Sequence, residues 1–160
     1  MGVLAIEQKY IFKNGTYMEL AEFSLRVGLA AVAGLLVGAE REMSGKNAGL
    51  KTNALVALGS SVFVLLSLEF EGAEFVDTSR VLGQVVTGIG FIGAGTIIQQ
   101  GSNIKGLTTA ATIWCSAGVG GLAALAMYKE LAVVCIMIIL INFLFGYLPW
   151  KIKKDMKEEK

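Results

Sequence analysis

Five long apolar segments, separated by short polar connections, dominate the pattern of hydrophobic and polar positions. They are Phe23–Ala39, Asn53–Leu68, Val81–Ile98, Leu107–Met127 and Leu131–Leu148. No charged residue occurs from Val81 to Ile104 or from Gly106 to Tyr128, and each stretch exceeds the roughly 18 residues that indicate a transmembrane helix. Nothing alternates with period two, and lipid offers no partner to open backbone groups, so helices are favoured over strands. The pattern predicts an all-α polytopic integral membrane protein with about five transmembrane helices.

Composition supports this class. Hydrophobic residues make up 54% of the chain and charged residues 17%, and the mean hydropathy is +0.64, whereas soluble domains average roughly 45–50% and 25%. There is no histidine, which excludes Ser-His-Asp catalysis and His-ligated zinc. With no activated nucleophile and no basic face carrying aromatics, we expect neither an enzyme nor a nucleic-acid-binding protein. Cys115 and Cys135 lie within apolar runs and are expected to be buried small hydrophobes.

The distribution of lysine and arginine predicts the orientation. Nine of these residues lie in the first and third connections and in the tail, on one side of the predicted bundle, and four lie on the other side, where the loop "EFEGAEFVDTS" is acidic. We therefore expect the N-terminus outside the membrane and the C-terminus in the cytoplasm. This gives three regions: an extracytoplasmic N-terminal segment (1–22), a five-helix membrane domain (23–148) and a charged cytoplasmic tail (149–160).

The stretch "GIGFIGAG" (88–95) fits the G-x-G-x-x-G pattern of a dinucleotide-binding turn. That motif needs an acidic residue about 20 positions further on, and no Asp or Glu occurs between Ser79 and Lys129. We therefore expect no cofactor, and interpret the glycines as small-residue faces for close helix packing. An additional hypothesis is that they line a solvated cavity. The predicted packing positions are Gly34, Gly38, Gly83, Gly88, Gly90, Gly93 and Gly95. The glycine-rich "AGVGG" (117–121) is expected to be flexible.

Ionisable and polar groups at membrane depth are candidate functional residues. Arg26 either extends to the outer headgroups or pairs with Glu22 or an acid of the second outer loop. Glu40 and Arg41, at the inner end of the first span, either are solvated at the interface with Glu42 or belong to a fixed network. The candidates for a polar or ion-binding site are Glu40, Arg41, Arg80, Gln84, Asn103, Lys105, Thr108, Thr109 and Thr112.

Four blocks together resemble the signature of the MgtC/SapB family. They are "GLLVGAER" (34–41), "AGLKT" (48–52), "TGIGFIGAG" (87–95) and "NIKGLTTAATIWCSA" (103–117). The resemblance implies a bacterial inner-membrane protein linked to growth at low magnesium and, in pathogens, to survival within host cells. The family's polar motif positions fall on Glu40, Arg41, Lys51, Thr52, Arg80, Gln84, Asn103, Lys105, Thr109 and Thr112. Thr108 stands where many members have Asn, and many members continue into a soluble domain beyond the fifth span.

Two functional hypotheses follow from the residues and the resemblance. The first is a role in divalent-cation homeostasis, chiefly of magnesium, in which Glu40 contacts Mg²⁺ as ligand or substrate and Arg41 or Lys105 balances its charge when the site is empty. The second is a regulator that moves no solute and modulates a partner ATPase or ATP synthase through lipid-embedded faces. In both cases we expect a homo-oligomer, most simply a dimer, surrounded by membrane lipid.

Overall fold

A computed structural model of the chain describes residues 9–13, 16–68, 70 and 77–158. Five helices account for most of it: α1 (Leu20–Met43), α2 (Leu50–Leu68), α3 (Ser79–Ala94), α4 (Leu107–Ala124) and α5 (Tyr128–Glu158). The predicted all-α membrane fold is confirmed. Residues 1–8, 14–15, 69, 71–76 and 159–160 lie outside the described part, and with them the acids Glu69, Glu71 and Glu74 of the loop predicted to lie outside the membrane.

Four of the helices are long and apolar enough to cross a membrane. These are α1, α2, α4 and the Tyr128–Gly146 portion of α5. The helix α3 has 16 residues and ends at Ala94, four positions before the end of the predicted span. Its last turn closes through the bonds Thr96 N–H to Gly93 O and Ile97 N–H to Ala94 O, both 3.0 Å. A helix of 16 residues is about 24 Å long, somewhat shorter than the roughly 30 Å hydrocarbon core.

Two short antiparallel hairpins complete the described structure. The strands β1 (Lys9–Lys13) and β2 (Thr16–Glu19) pair before α1, and β3 (Ile98–Gln100) pairs with β4 (Asn103–Lys105) between α3 and α4. Neither hairpin is predicted from the sequence, because strands of three to five residues are too short for period-two alternation to be recognised. The chain enters α4 through Gly106, whose φ is +91° and whose added Cβ would lie 2.0 Å from the Thr96 carbonyl oxygen. Glycine is therefore required there.

The core of the bundle is formed by α1, α2 and α4, with α5 packed against α1 and α4. The core side chains between α1, α4 and α5 are mostly small, among them Ala30, Ala33, Ala123 and Cys135. Small residues let helix backbones approach closely, which is how helices associate where lipid provides no hydrophobic drive. The sequence "AGVGG", expected to be flexible, lies inside α4. Within it, Gly120 contacts the Ala57 backbone of α2; the flexibility stays a prediction.

Candidate functional site

Three polar side chains of α4 point into the bundle, and each is bonded to a different helix. Thr109 accepts a hydrogen bond from Arg41 Nη2 of α1 at 3.1 Å. The Thr112 hydroxyl lies 3.4 Å from the Asn142 amide nitrogen of α5, and the Ser116 hydroxyl donates to Asn53 Oδ1 of α2 at 2.8 Å. All six side chains are at least nine-tenths buried. We call these six residues the polar column.

Glu40 lies beside Arg41 of the polar column, at the end of the bundle that carries the α1–α2 connection. Arg41 is 3% exposed and Glu40 9%, so neither is a solvated interfacial charge. Arg41 is joined to α4 through Thr109, as the fixed-network alternative expects. Glu40 Oε1 accepts a hydrogen bond of 2.7 Å from the Ser44 hydroxyl. Its other oxygen, Oε2, and Arg41 Nε are buried without a partner among the described residues. No ion pair joins Glu40 and Arg41.

The α1–α2 connection is fixed by two side chains. Asn53 is fully buried, and its amide nitrogen donates to the carbonyl oxygens of Ala48 and Gly49. Glu42 Oε2 accepts from the Leu50 backbone N–H at 3.0 Å, and a carboxylate there stabilises the positive end of the helix dipole of α2. Glu42 thus caps a helix, and the turn that it and Asn53 hold places Glu40 inside the bundle rather than in solvent.

Glycines bring α1 and α4 into backbone contact with α2. A Cβ added to Gly34 would lie 2.5 Å from the Asn53 carbonyl oxygen, and one added to Gly38 would lie 2.7 Å from that of Gly49. A Cβ added to Gly120 of α4 would lie 2.0 Å from the Ala57 carbonyl oxygen of α2. These approaches are closer than any side chain permits, and they put the polar groups of α1, α2 and α4 within hydrogen-bonding range.

The glycines of the "GIGFIGAG" block are arranged differently. Gly93 faces Ala110 of α4, with 3.3 Å between the added Cβ and the carbonyl oxygen, and Gly95 meets only its own preceding turn. Gly83, Gly88 and Gly90 have no atom within 4 Å of an added Cβ. Within the described residues, the first part of α3 therefore packs no helix against its glycines. The packing of helices against these three glycines stays a prediction, and it now concerns helices of other molecules.

Five of the nine polar candidates lie away from Glu40's buried environment. Arg80, Gln84, Asn103, Lys105 and Thr108 are exposed, and Thr108 contributes only its carbonyl oxygen, to the Thr112 hydroxyl at 2.9 Å. The family-motif position Lys51 is also exposed, and Thr52 is half-buried. Lys105 forms no ion pair with Glu40. The structure thus gathers four of the nine candidates, Glu40, Arg41, Thr109 and Thr112, into one buried region.

Asn53 and Asn142 are the two amides of the polar column that sequence reasoning missed, and Ser116 was also absent from the nine candidates. Asn142 is an isolated amide within an apolar run, and Asn53 opens the second apolar segment directly after Lys51 and Thr52. Amides in a membrane helix commonly bond across to another helix. That signal was available in the sequence, although it does not reveal the partner. Ser60 was missed as well, because the sequence does not reveal its partner. Its hydroxyl donates to the Ala117 carbonyl oxygen at 2.7 Å.

A second buried cation lies at the opposite end of the bundle, where α2 ends and α3 begins. Arg26 is 8% exposed, pairs with Glu22 and donates from Nη1 to the Ala124 carbonyl oxygen of α4 at 2.6 Å. The pairing alternative therefore describes Arg26 better than an extended side chain among headgroups. A cation at the last carbonyls of a helix is favourable, and Arg26 fastens the end of α4 to α1.

Asp77, just before α3, offers a pH-dependent contact outside the membrane-spanning helices. Its Oδ1 accepts from the Ser79 hydroxyl at 2.6 Å and from the Ser79 backbone N–H at 3.0 Å. These bonds hold the pKa of Asp77 below its ordinary value of 3.8, and Arg80 adds to the effect. Because the folded pKa is depressed, the stabilisation is complete above about pH 3.8 and is lost as the pH falls through the lower folded value.

We expect Ser79→Ala to raise the pKa of Asp77 towards its ordinary value, because the hydroxyl bond is the largest cause of the shift. Carboxyl-carbon NMR of aspartate-labelled protein in micelles measures this titration directly. Thr78→Ala, which leaves both Ser79 bonds in place, is the control. Equal titration midpoints in wild type and Ser79→Ala would contradict the assignment.

Two apolar cavities flank α3. A groove of about 500 Å³ separates it from α2, and a second cavity of about 400 Å³ lies between α3, α4 and α5. Both linings are almost entirely apolar, although Gln84 faces the first. Within the described residues no three His, Cys, Asp or Glu side chains are grouped to hold a metal ion. Glu40, with Ser44 beside it, is thus a single-carboxylate environment.

Membrane-length helices joined by backbone contacts at glycine, with polar side chains paired between them, define a multi-pass membrane protein. The chain belongs to the MgtC family, whose sequence model matches residues 27–149. The resemblance noted from the four sequence blocks is thereby confirmed.

The chain is similar to several curated proteins. It is 43% identical over 127 residues to Protein MgtC of Salmonella typhimurium (strain LT2), which covers 79% of the chain and 54% of that protein. It is 42% identical over 141 residues to the Escherichia coli (strain K12) protein named "Putative magnesium transporter YhiD", covering 82% and 64%. Protein MgtC of Brucella abortus is 45% identical over 115 residues, covering 72% and 48%. The chain thus spans about half to two thirds of these relatives. No solved structure matches it.

Proposed function

We propose that this protein acts in divalent-cation homeostasis, chiefly of magnesium, in the bacterial inner membrane, and that Glu40 is the residue that meets the ion. The name of the Escherichia coli relative supports magnesium as the ion. The single observation that supports the site is Glu40 Oε2, a carboxylate oxygen buried without a partner. An unpaired buried acceptor is costly, and a cation is one partner that would remove the cost.

The groups around Glu40 suit a partly hydrated Mg²⁺. This ion prefers six oxygen ligands, keeps several waters and is usually held by only one or two carboxylates. Glu40 offers one carboxylate, and the Ser44 hydroxyl bonded to it offers another oxygen. Arg41 is held by Thr109 on α4, so its positive charge stays beside Glu40 and opposes tight retention of the ion. Weak binding is what a transported substrate requires, because the ion has to leave again.

Mg²⁺ flux into liposomes tests the transport form of this proposal. We expect protein in liposomes with an entrapped Mg²⁺-sensitive dye to admit Mg²⁺ under an imposed gradient and potential. Glu40→Gln removes the charge at nearly constant shape and should lower the initial rate about tenfold or more. Glu42→Gln is the control, because an amide oxygen can still cap α2; its rate should stay within about twofold of wild type. A wild-type trace equal to that of empty liposomes would overturn transport.

A second candidate function is regulation of a partner membrane ATPase or ATP synthase without movement of solute. The observation that favours it is the apolar lining of both large cavities, since an ion path is expected to be polar. Cross-linking in native membranes followed by mass spectrometry tests it. Links to an ATPase subunit would support the regulator, and links only between copies of this chain would count against it while supporting the proposed homodimer. Growth at low magnesium and survival in host cells are the phenotypes to follow.

A further inference from the structure

The groove between α2 and α3 has about the length of a lipid acyl chain. One face of α3 lines it from Val81 to Ile92, a distance of about 17 Å at 1.5 Å per residue. Half of a hydrocarbon core about 30 Å thick is about 15 Å, so the groove extends through roughly one leaflet. Leu55, Gly59 and Phe63 of α2 form its opposite wall.

The volume of the groove suits a single extended chain. The groove holds about 500 Å³ and is open along one side. An acyl chain is only one methylene wide and matches both the volume and the apolar lining. The open space at Gly59 and Gly88, where an added Cβ meets no atom within 4 Å, is part of this channel.

Charged groups lie where the headgroup of such a lipid would be. Arg80 immediately precedes Val81, the first α3 residue that lines the groove. It lies one turn before Gln84, which also lines the groove, so the two share one helix face. Arg80 is exposed, and a guanidinium binds phosphate oxygens through paired hydrogen bonds. Asp77, one turn further towards the headgroup, adds a carboxylate whose pKa lies below its ordinary value, so it is ionised at neutral pH. A positive and a negative group side by side complement a zwitterionic headgroup.

We propose that the α2–α3 groove binds a phosphatidylethanolamine-type lipid, with one acyl chain in the groove, its phosphate on Arg80 and its ammonium on Asp77. The site is independent of whether the protein moves magnesium, because it shares no residue with the polar column or with Glu40. It also accounts for the separation of the first part of α3 from the bundle: the lipid chain fills the space that a side chain or a neighbouring helix fills elsewhere.

Photolabelling tests the position of the acyl chain. The protein is reconstituted with a phosphatidylethanolamine that carries a diazirine in its acyl chain. It is then irradiated, and the labelled residues are mapped by mass spectrometry. We expect adducts concentrated on the groove face of α2 and α3. Gly88→Leu fills the groove and should reduce those adducts about tenfold. Gly90→Leu is the matched control, because Gly90 is equally open but lies outside both cavities; its adduct pattern should equal that of wild type.

Gly59→Leu fills the groove from α2 and should reduce the groove adducts to the same extent as Gly88→Leu. Two filling variants guard against the misfolding of one of them. Circular dichroism and gel filtration check that each variant is folded. Unchanged groove adducts in both filling variants, or adducts spread evenly over the exposed faces of α1 and α5, would overturn the site. A Gly88→Cys variant that forms disulfide-linked dimers in membranes, while groove adducts are absent, would instead identify a second copy as the occupant.

Competition between unlabelled lipids tests the headgroup. We expect phosphatidylethanolamine to displace the probe at about fivefold lower concentration than phosphatidylglycerol, which lacks the ammonium. Asp77→Asn should abolish that preference, whereas Arg80→Gln should weaken both lipids. Equal competition by the two lipids against wild type would overturn the headgroup assignment.

Discussion

Gly120→Ala is expected to separate α2 from α4 and to destabilise the fold strongly, although it adds only one methyl group. The new Cβ would lie 2.0 Å from the Ala57 carbonyl oxygen, 2.8 Å from its carbon and 3.0 Å from the Ala57 Cα. All three atoms belong to the backbone, so no change of side-chain rotamer can relieve the overlap. The helices must move apart instead, and overpacking of this kind costs about 3 kcal/mol.

Separation of α2 from α4 would also break the hydrogen bonds that depend on the close approach. The Ser116 hydroxyl bonds Asn53, and the Ser60 hydroxyl bonds the Ala117 carbonyl oxygen. Both bonds lie between the same two helices, near the Gly120 contact. Polar contacts between membrane helices average about 0.6 kcal/mol, so their loss adds to the steric cost. We therefore expect the free energy of unfolding to fall by about 4 kcal/mol.

Gly118→Ala provides a matched control two residues away on the same helix. An added Cβ at Gly118 meets no atom within 4 Å, so the change only raises helix propensity, by about 0.5–1 kcal/mol. Unfolding in dodecyl sulfate mixed micelles, followed by far-UV circular dichroism, measures both variants. Gly120→Ala should shift the midpoint to much lower detergent fraction and Gly118→Ala should leave it equal or higher. Similar midpoints for the two variants would show that α2 and α4 do not approach as described.

The helices could be predicted from sequence because burial in lipid imposes a length and a composition on each one separately. The predicted segment Leu107–Met127 overlaps α4 almost completely, and Leu131–Leu148 lies within α5. The shorter length of α3 was not predictable from hydropathy, since the residues after Ala94 remain uncharged until Lys105. The helix α3 gives way to the β3–β4 hairpin, and the chain returns past Thr96 through Gly106. Both features are set by contacts rather than by composition.

The candidate site was predictable only in part, because its pairs join residues far apart in the chain. Arg41 and Thr109 are 68 positions apart, and Asn53 and Ser116 are 63. Helical periodicity places Thr109, Thr112 and Ser116 on one side of α4, but it cannot say which helix faces each residue. That depends on the rotation and height of α1, α2 and α5, which glycine contacts such as Gly34 and Gly120 determine. The rotation and height of the helices also decide which charges meet. The sequence therefore allowed Lys105 as the counter-charge of Glu40, but the two form no ion pair in the structure.

The second large effect is expected at Asn53, where one amide supports three contacts. Its nitrogen donates to the Ala48 and Gly49 carbonyl oxygens, and its oxygen accepts from Ser116. Asn53→Leu has similar volume but removes all three bonds. The Ala48 carbonyl and the Ser116 hydroxyl lose these partners, whereas the Gly49 carbonyl keeps the backbone N–H of residue 53 at 3.2 Å. Each group that loses its partner costs about 1–3 kcal/mol. Since alternative partners reduce the cost in membranes, we expect a total loss of about 3 kcal/mol.

A double-mutant cycle separates the Asn53–Ser116 bond from the loop contacts. Ser116→Ala removes one hydroxyl from a fully buried position and should cost about 1 kcal/mol by itself. If the two side chains are bonded, Ser116→Ala should cost less in the Asn53→Leu background, where its partner is already gone, and the coupling energy should be about 0.6–1.7 kcal/mol. The control cycle pairs Asn53→Leu with Ser67→Ala, whose hydroxyl bonds only its own helix at Val64; its coupling should be near zero. Coupling energies of the same size in the two cycles would contradict a direct bond between α2 and α4.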